Sequence, residues 1–175
     1  MRLLFELDRK DYKEDGTCCV RPSVRGIIIR EGKVAMVHSL KYDYYKFPGG
    51  GIEEGESQTE TLIREVKEET GLVILPESIK EYGMVHRKQK GMIEDIFIQD
   101  NYYYFCNAKS EIDTQKLDDY EYEEEFFLEF VSPEHAILIN RTSEHGMKSE
   151  ETLFNDMIER ELRVLDMLMK EEYFI

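Results

Sequence analysis

The sequence predicts an α/β fold in which strands precede and follow a central amphipathic helix. The first observation is a series of β-branched and aromatic runs, separated by turn residues, on both sides of residues 57–71. The second is the helical spacing of apolar residues within that segment. The third is an apolar helical pattern at about 149–172, which predicts a C-terminal helix covering the core. We expect residues 1–175 to form one domain, because domains usually span about 100–200 residues.

Turn and capping residues set the element boundaries. Residues 24–38 predict a hairpin with its turn near Glu31-Gly32. Ser57 and Glu60 form a capping box that starts the central helix, and Gly71 ends it. The other predicted elements are strands at Ile79–His86, Ile93–Ile98, Tyr102–Cys106 and Phe126–Val131, and a helix that begins at Ser132-Pro133.

The chain carries a large negative charge. It has 38 Asp and Glu against 23 Lys and Arg, a formal net charge of −15 over 175 residues. Such a surface repels nucleic acids and anionic membranes, so we expect neither as a partner. Phosphorylated small molecules remain compatible with it if divalent cations stand between the carboxylates and the phosphates. Much of the negative charge falls within 50–72 and 110–125.

The sequence lacks the marks of a secreted or membrane protein. The N-terminal residues contain no apolar run of signal-peptide length, and no segment approaches the roughly 18 apolar residues of a membrane-spanning helix. The three cysteines, Cys18, Cys19 and Cys106, form no Cys-x-x-Cys pair, and the four histidines are scattered. We therefore expect free thiols in a cytoplasmic protein rather than a zinc site or a disulfide framework.

Three glutamates of the central helix share one face. Glu65, Glu68 and Glu69 lie at positions i, i+3 and i+4. Like charges at this spacing cost a helix roughly 0.2–0.5 kcal/mol per pair. Mg²⁺ prefers oxygen ligands and would neutralise them, and the glycines at 49–51 allow the backbone to approach closely. A solvated charged helix face is the alternative interpretation.

The positions of other residues around these glutamates favour the metal site over the solvated face. Residues 50–72 fit the pattern Gly-x5-Glu-x7-Arg-Glu-U-x-Glu-Glu-x-Gly-U, where U is apolar, at every fixed position. This segment resembles the Nudix box, and the preceding Tyr45-Lys-Phe-Pro-Gly-Gly resembles the usual lead-in. The resemblance implies a Nudix-type α/β/α sandwich with a mixed β-sheet between helices. It also implies hydrolysis, with Mg²⁺ or Mn²⁺, of the pyrophosphate in a nucleoside diphosphate linked to another group.

The resemblance implies roles for individual residues as well. Metal binding falls to four groups, which are the carboxylates of Glu65, Glu68 and Glu69 and the carbonyl of Gly50. Glu56 and Arg64 correspond to a pair that holds the catalytic helix against the loop, and charges behind a metal site commonly orient its ligands in this way. The implied mechanism is attack by a metal-activated water on a phosphorus atom of the diphosphate.

Two regions of the sequence contain candidates for the general base. Glu65 or Glu68 can serve, but in this family the base often lies outside the box. The acidic run 118–125, just before the predicted strand at Phe126–Val131, therefore offers Glu124 or Glu125 as candidates. A solvated loop is the alternative interpretation of that run.

Clues to the substrate are fewer. Arg87 and Lys88 lie in a basic cluster that suits a phosphate, and Tyr45 and Phe47 suit stacking on a nucleobase. An exposed turn and core packing are the alternatives. The Ser-Gln-Pro-Trp-Pro-Phe-Pro element of NADH-cleaving relatives is absent, as is the proline that ADP-ribose-cleaving relatives carry after the box. A nucleoside triphosphate or another small nucleotide derivative remains open.

Two other functions occur on the same fold. A non-hydrolytic Nudix-fold module that senses a nucleotide or regulates a partner typically loses box carboxylates, and all of them are present here. An isoprenoid diphosphate isomerase needs a catalytic cysteine in the strand region, for which Cys18, Cys19 and Cys106 are the candidates. The apolar C-terminal helix leaves a homodimer open.

Overall fold

The computed structural model describes residues 1–174, and within that range it forms eleven strands and four α-helices. The strands are β1 (Leu3–Asp8), β2 (Cys18–Val20), β3 (Ser23–Ile27), β4 (Ile29–Arg30), β5 (Lys33–Ser39), β6 (Tyr44–Lys46), β7 (Leu72–Ile74), β8 (Lys80–Gln89), β9 (Ile96–Phe105), β10 (Ala108–Ile112) and β11 (Phe126–Val131). The helices are α1 (Gln58–Thr70), α2 (Asp119–Glu123), α3 (Pro133–Thr142) and α4 (Thr152–Lys170). Short 3₁₀ helices cover Pro76–Ser78 and Gly146–Glu150.

The largest sheet is mixed, as expected. Its order is β1-β8-β9, and both β2 and β3 pair with β9. The β8–β9 pair is antiparallel, whereas β1 runs parallel to β8 and β3 runs parallel to β9. A second, antiparallel sheet places β5 between β11 on one side and β4 and β6 on the other.

Helices cover both faces of these sheets. On one face, Leu62 and Val66 of α1 pack in a cluster with Val24 of β3. On the other face, α4 packs in a cluster that includes Ile27 of β3. Successive side chains of a strand point to opposite faces, so β3 contributes to both clusters. The arrangement is the predicted α/β/α sandwich, with α1 in one layer and α4 in the other.

The central helix has the ends that the sequence predicts. The Ser57 hydroxyl accepts a hydrogen bond from the Glu60 backbone N–H, and the Glu60 carboxylate accepts one from the Ser57 N–H. Gly71 follows the helix in the left-handed conformation, with φ of 74°. Gly26 of β3 lies against this helix, and a Cβ atom there would be 3.1 Å from Val66. The capping box and Gly71 are local sequence signals, which is why residue spacing alone predicts the two ends of α1.

One strand boundary was predicted wrongly. The sequence predicts separate strands at Ile93–Ile98 and Tyr102–Cys106, but β9 runs unbroken from Ile96 to Phe105. The polar residues between the two predicted strands continue β9 because side chains of the neighbouring strands form hydrogen bonds with them. His86 of β8 contacts the Asp100 carboxylate at 2.7 Å, and buried Asn101 accepts a hydrogen bond from the Ser23 hydroxyl at 2.8 Å.

The C-terminal helix is close to its predicted extent. Observed α4 covers Thr152–Lys170, within the predicted 149–172. Across the described residues, the structure has no helix that combines the length and apolar character needed to cross a membrane. The strand β1, which the sequence analysis did not identify, extends the mixed sheet beside β8.

The glycine that ends α1 gives a test of this architecture. A Cβ atom at Gly71 would lie 2.1 Å from the Asp113 carbonyl oxygen, and its φ is left-handed. We expect Gly71→Ala to lower the free energy of unfolding by about 3 kcal/mol, from left-handed strain together with the backbone clash. Gly55→Ala is the matched control, because Gly55 has φ of 86° but nothing within 4 Å of its Cβ position.

Urea denaturation of both variants measures the difference. The control should lose only the strain cost of about 1–2 kcal/mol. Equal losses in the two variants would contradict the clash.

Candidate active site

A glycine loop packs against β3 and the second half of α1. Gly49 has φ of 138°, and a Cβ atom there would lie 2.2 Å from the Val24 carbonyl oxygen. At Gly50 a Cβ atom would lie 2.2 Å from the Glu65 Oε2 atom. The loop therefore lies too close to the β3 backbone for a side chain at Gly49, and so close to Glu65 that a side chain at Gly50 would displace its carboxylate.

Arg64 contacts three of the box carboxylates. Its Nε and Nη2 atoms donate to the two oxygens of Glu56 at 2.7 and 2.8 Å, a bidentate pair. Its Nη1 atom donates to Glu65 at 2.7 Å and to Glu68 at 3.1 Å. One guanidinium thus holds three carboxylates, one from the loop and two from α1. The Thr61 hydroxyl adds a 2.8 Å hydrogen bond to Glu56.

Glu69 is held separately, beneath the glycine loop. Its side chain is 1% exposed, and it accepts hydrogen bonds from the Lys46 ammonium at 2.6 Å and the Gly49 N–H at 2.7 Å. The Lys46 ammonium also lies 4.5 Å from the centre of the Phe126 ring. The third box carboxylate therefore ties α1 to the loop and to β6.

The two loop carbonyls nearest the box are also engaged. The Gly50 carbonyl accepts from the Val24 N–H at 3.0 Å, and the Gly49 carbonyl accepts from the Arg25 guanidinium. A carbonyl oxygen has a second lone pair, so these bonds do not exclude a further partner.

A polar cleft of about 340 Å³ opens over this part of α1. It is lined by Arg21, Gly51, Ile52, Glu53, Arg64, Glu65, Glu68, Lys116, Asp118 and Glu121. The segment before α2 reaches the cleft because it is tied to the end of α1. The Lys116 N–H donates to the Glu68 carbonyl at 2.8 Å, and the Gln115 side chain donates to the Glu69 carbonyl.

Glu121 is the acidic residue of this segment that sequence reasoning missed. It is 5% exposed and faces the cleft from α2, where Asp118 and Glu121 form a capping box. The Asp-x-x-Glu spacing at 118–121 was a signal for that helix start. The sequence cannot show that this short helix lies over the carboxylates of α1, since 52 residues separate Glu69 from Glu121.

Burial and like charge shift the pKa values of the cleft carboxylates. Burial, reinforced by the charge of Glu69, raises the pKa of Glu121 to about 7. The same two causes raise the pKa of Glu65, although its hydrogen bond to Arg64 opposes them. Hydrogen bonds from Arg64 and Thr61 lower the pKa of Glu56 to about 2. Negative charge is thus compensated at Glu56 and incompletely compensated at Glu65 and Glu121.

The chemistry of these donors fits a divalent cation. Across residues 1–174, no three acidic, histidine or cysteine side chains converge tightly enough to hold a metal ion as they stand. The cleft nevertheless presents only oxygen donors from Glu65, Glu68 and Glu121, two of them with raised pKa values, which is the set that Mg²⁺ or Mn²⁺ prefers.

The two predicted bases outside the box lie elsewhere. Glu124 is buried, accepts a hydrogen bond from the Tyr44 hydroxyl at 2.6 Å and pairs with Lys148 at 3.1 Å. Glu125 is exposed, with φ of 56°, in the turn into β11. Neither side chain lines the cleft. Both residues follow the end of α2, whereas Glu121 is part of that helix.

The four predicted substrate contacts also lie outside the cleft. Arg87 is 4% exposed and donates to Gln89 and to the Leu153 carbonyl on the α4 side of the sheet. The Lys88 ammonium lies 4.2 Å from the centre of the Tyr12 ring. Tyr45 and Phe47 belong to the buried core, so neither ring is available to a nucleobase.

Two cations that the sequence analysis did not single out line the cleft instead. Arg21 and Lys116 are exposed, and neither makes a salt bridge among the described residues. A Cβ atom at Gly51 would lie 3.2 Å from the Arg21 Nε atom, so the guanidinium rests on the glycine loop.

The cysteines have no place in this site. Burial raises the pKa of Cys106 to about 12, so its thiol is a poor nucleophile at neutral pH. Cys18 is exposed on β2, Cys19 is partly exposed, and none of the three lines the cleft.

The α/β/α sandwich and the carboxylate cleft beside a glycine loop are the arrangement expected of the pyrophosphate-cutting hydrolases whose box the sequence resembles. Residues 20–150 match the NUDIX domain family, about three quarters of the chain, and the chain therefore belongs to the Nudix family. It is 32% identical over 120 residues to an 8-oxo-dGTP diphosphatase of Buchnera aphidicola, covering 54% of this chain and 92% of that protein. The family and enzyme class predicted from the sequence are confirmed.

Other relatives match over shorter stretches. An RNA pyrophosphohydrolase of Xanthomonas campestris is 39% identical over 64 residues, which is 36% of this chain and 30% of that protein. Among solved structures, a NUDIX hydrolase from Nitrosomonas europaea superposes with a TM-score of 0.55 at 19% identity, over 81% of this chain and 87% of that one. A MutT protein from Bacillus halodurans superposes with a TM-score of 0.54 at 19% identity, over 68% of this chain and 72% of that one. These structures support the fold.

The raised pKa of Glu121 predicts a pH dependence of stability. Because the folded-state pKa of about 7 exceeds the ordinary 4.5, the folded protein holds a proton that the unfolded chain releases. The contribution of Glu121 to stability is therefore largest below about pH 4.5 and is lost as the pH rises to about 7. We expect carboxyl ¹³C NMR of the metal-free protein to give a midpoint near 7 for Glu121.

Two variants check the cause. Glu121→Gln should weaken the fall in unfolding free energy between pH 5 and pH 8, measured by urea denaturation. Glu69→Gln should lower the Glu121 midpoint, because it removes the neighbouring charge. A Glu121 midpoint below 5 in the wild type would contradict the assignment.

Proposed function

We propose that the chain is a Mg²⁺- or Mn²⁺-dependent pyrophosphohydrolase that acts on a nucleoside triphosphate or a related small nucleotide derivative. The single observation that carries this proposal is the cleft itself. It brings two box carboxylates, Glu65 and Glu68, to a third carboxylate, Glu121, beside a glycine loop. A non-hydrolytic module would have no use for three carboxylates gathered in one cleft.

Glu65 and Glu68 are the residues that would hold the cation, and Glu121 faces them in the same cleft. Glu69 and the Gly50 carbonyl, also predicted as ligands, are engaged by other partners. Each Glu69 oxygen accepts one hydrogen bond and keeps a second lone pair, but the carboxylate is 1% exposed and does not line the cleft. When bound, the cation neutralises pyrophosphate oxygens and makes the attacking water more acidic.

The residues of the chain account for the remaining steps. Glu56 fixes Arg64, and Arg64 keeps Glu65 and Glu68 at the mouth of the cleft. Glu121 takes the proton of the attacking water, because a carboxylate with a pKa near 7 is suited to a base at neutral pH. Both catalytic assignments outside the box, to Glu124 and Glu125, are thereby replaced by Glu121.

Arg21 and Lys116 would contact phosphate oxygens. They are exposed cations at a cleft that otherwise repels anions, so a substrate phosphate gains their charge on entering. The net charge of −15 disfavours a long polyanion, which is why a small nucleotide is the proposed substrate rather than RNA. The three free cysteines support a cytoplasmic location.

A hydrolysis screen tests the substrate class. The panel contains nucleoside triphosphates, including 8-oxo-dGTP, nucleotide sugars, ADP-ribose, dinucleoside polyphosphates and an RNA oligomer with a 5′-triphosphate. We expect Mg²⁺-dependent release of phosphate or pyrophosphate from small nucleotides above all. Preference for the RNA end would contradict the small-nucleotide assignment, and inactivity across the panel with either metal would contradict the enzyme.

Glu68→Gln tests the metal assignment on the best substrate. Glu68 is 38% exposed, so its loss should leave folding intact while kcat/KM falls by about 10²-fold or more. Glu54→Gln, an exposed glutamate of the box loop, should keep wild-type activity. Wild-type activity in Glu68→Gln would remove Glu68 from the site.

Gly50→Ala tests the close approach of the loop to Glu65. The added methyl meets the flexible end of a side chain, so the carboxylate should shift while the melting temperature changes little. We expect Mn²⁺ affinity, measured by electron paramagnetic resonance, to fall by roughly 10-fold or more. Unchanged affinity would mean that the position of Glu65 beside Gly50 is unimportant.

A further inference from the structure

The buried residues of α4 include three charged ones, Asp156, Arg160 and Glu161, and the last two are adjacent in the chain. Phe154, Ile158, Leu165 and Leu168 form a stripe at spacings of three and four residues, and Glu161 occupies its centre. Glu161 is 0% exposed, and Arg160 beside it is 1% exposed. Leucine at position 161 would continue the stripe, so packing alone does not account for this pair.

Glu161 holds the start of the glycine loop. Its Oε2 atom accepts a hydrogen bond from the Phe47 N–H at 2.9 Å, and its Oε1 atom accepts from the Arg160 Nε at 3.0 Å. Phe47 directly precedes Pro48-Gly49-Gly50 in the chain. In the described structure, the Glu161 carboxylate is the only hydrogen-bond acceptor that α4 provides to this loop.

Arg160 connects to the other end of the same loop. Its guanidinium donates to the Asn101 Oδ1 atom, which also accepts from the Ser23 hydroxyl at 2.8 Å. Ser23 forms a β-bridge with Gly51. The adjacent residues Arg160 and Glu161 therefore reach both ends of the loop, one end directly and the other through Asn101 and Ser23.

The physical cost of this arrangement points to a role in positioning. Burying two charges is expensive, and apolar residues of similar volume often replace such a pair at no loss of stability. What an apolar pair cannot do is satisfy the buried Phe47 N–H and fix the direction of the backbone that follows it.

We propose that Arg160 and Glu161 are positioning residues that hold the glycine loop at its working distance from the carboxylates of α1. This inference rests on the proposed function, since the loop matters only if a cation binds beside it. The C-terminal helix then contributes to catalysis from the opposite face of the sheet, without touching the substrate.

A matched pair of variants on α4 tests the proposal. Asp156 is 1% exposed on the same helix and pairs with Arg9 and Arg87, but it contacts no residue of the loop. Glu161→Gln and Asp156→Asn each leave a buried arginine without its carboxylate, so both should lower the melting temperature. Only Glu161→Gln should weaken Mn²⁺ affinity, by about 10-fold, and lower kcat at saturating metal. Equal Mn²⁺ affinities in the two variants would overturn the proposal.

A double variant separates positioning from stability. In Arg160→Met/Glu161→Leu both charges are gone, which offsets the loss of the acceptor for the Phe47 N–H, so the melting temperature should be higher than that of Glu161→Gln. Mn²⁺ affinity should nevertheless fall about 10-fold. A double variant that binds Mn²⁺ within twofold of the wild type would show the pair to be merely structural.

A measurement on the wild type needs no variant. Addition of Mg²⁺ should shift the ¹⁵N–¹H signals of the Phe47 amide and the Arg160 Nε–H, and leave the Arg87 Nε–H unchanged. Metal binding without these shifts would overturn the positioning role. Absence of any metal binding by the wild type would instead overturn the proposed function, so the two failures are distinguishable.

Discussion

The site depends on one electrostatic constraint, which is that several carboxylates lie close together and repel one another. Arg64 meets most of it, since one guanidinium contacts Glu56, Glu65 and Glu68. Glu69 is kept apart by Lys46 beneath the loop. These cations stabilise the folded protein against the repulsion between the carboxylates.

The mixed sheet allows opposite faces to act on one loop. Alternating residues of β3 point toward α1 and α4, so the loop that crosses the end of this strand is reached from both sides. On the first side, the close approach of Gly50 to Glu65 fixes the distance to the carboxylates. On the second side, the buried carboxylate of Glu161 accepts the Phe47 N–H. A loop held from only one side would keep more freedom of movement.

The two most acidic segments of the chain meet at the cleft in the structure. Residues 50–72 and 110–125 are distant in sequence, but α2 brings Glu121 over the box helix. Burial there, reinforced by the charge of Glu69, raises the pKa of Glu121 to about 7. Arg21 and Lys116 at the mouth of the cleft moderate its negative charge, so a phosphorylated ligand meets positive charge at the entrance.

The sequence by itself determined whatever depends on neighbours within about one helical turn. The caps of α1 and the shared face of Glu65 and Glu68 follow from spacing, because i, i+3 and i+4 positions are fixed by helix geometry. Only the tertiary structure decided that Glu121 rather than Glu124 faces the cleft, and that Arg87 is buried against α4. Those contacts join residues dozens of positions apart, and which side of a sheet a charge faces depends on the packing of elements that no local pattern encodes.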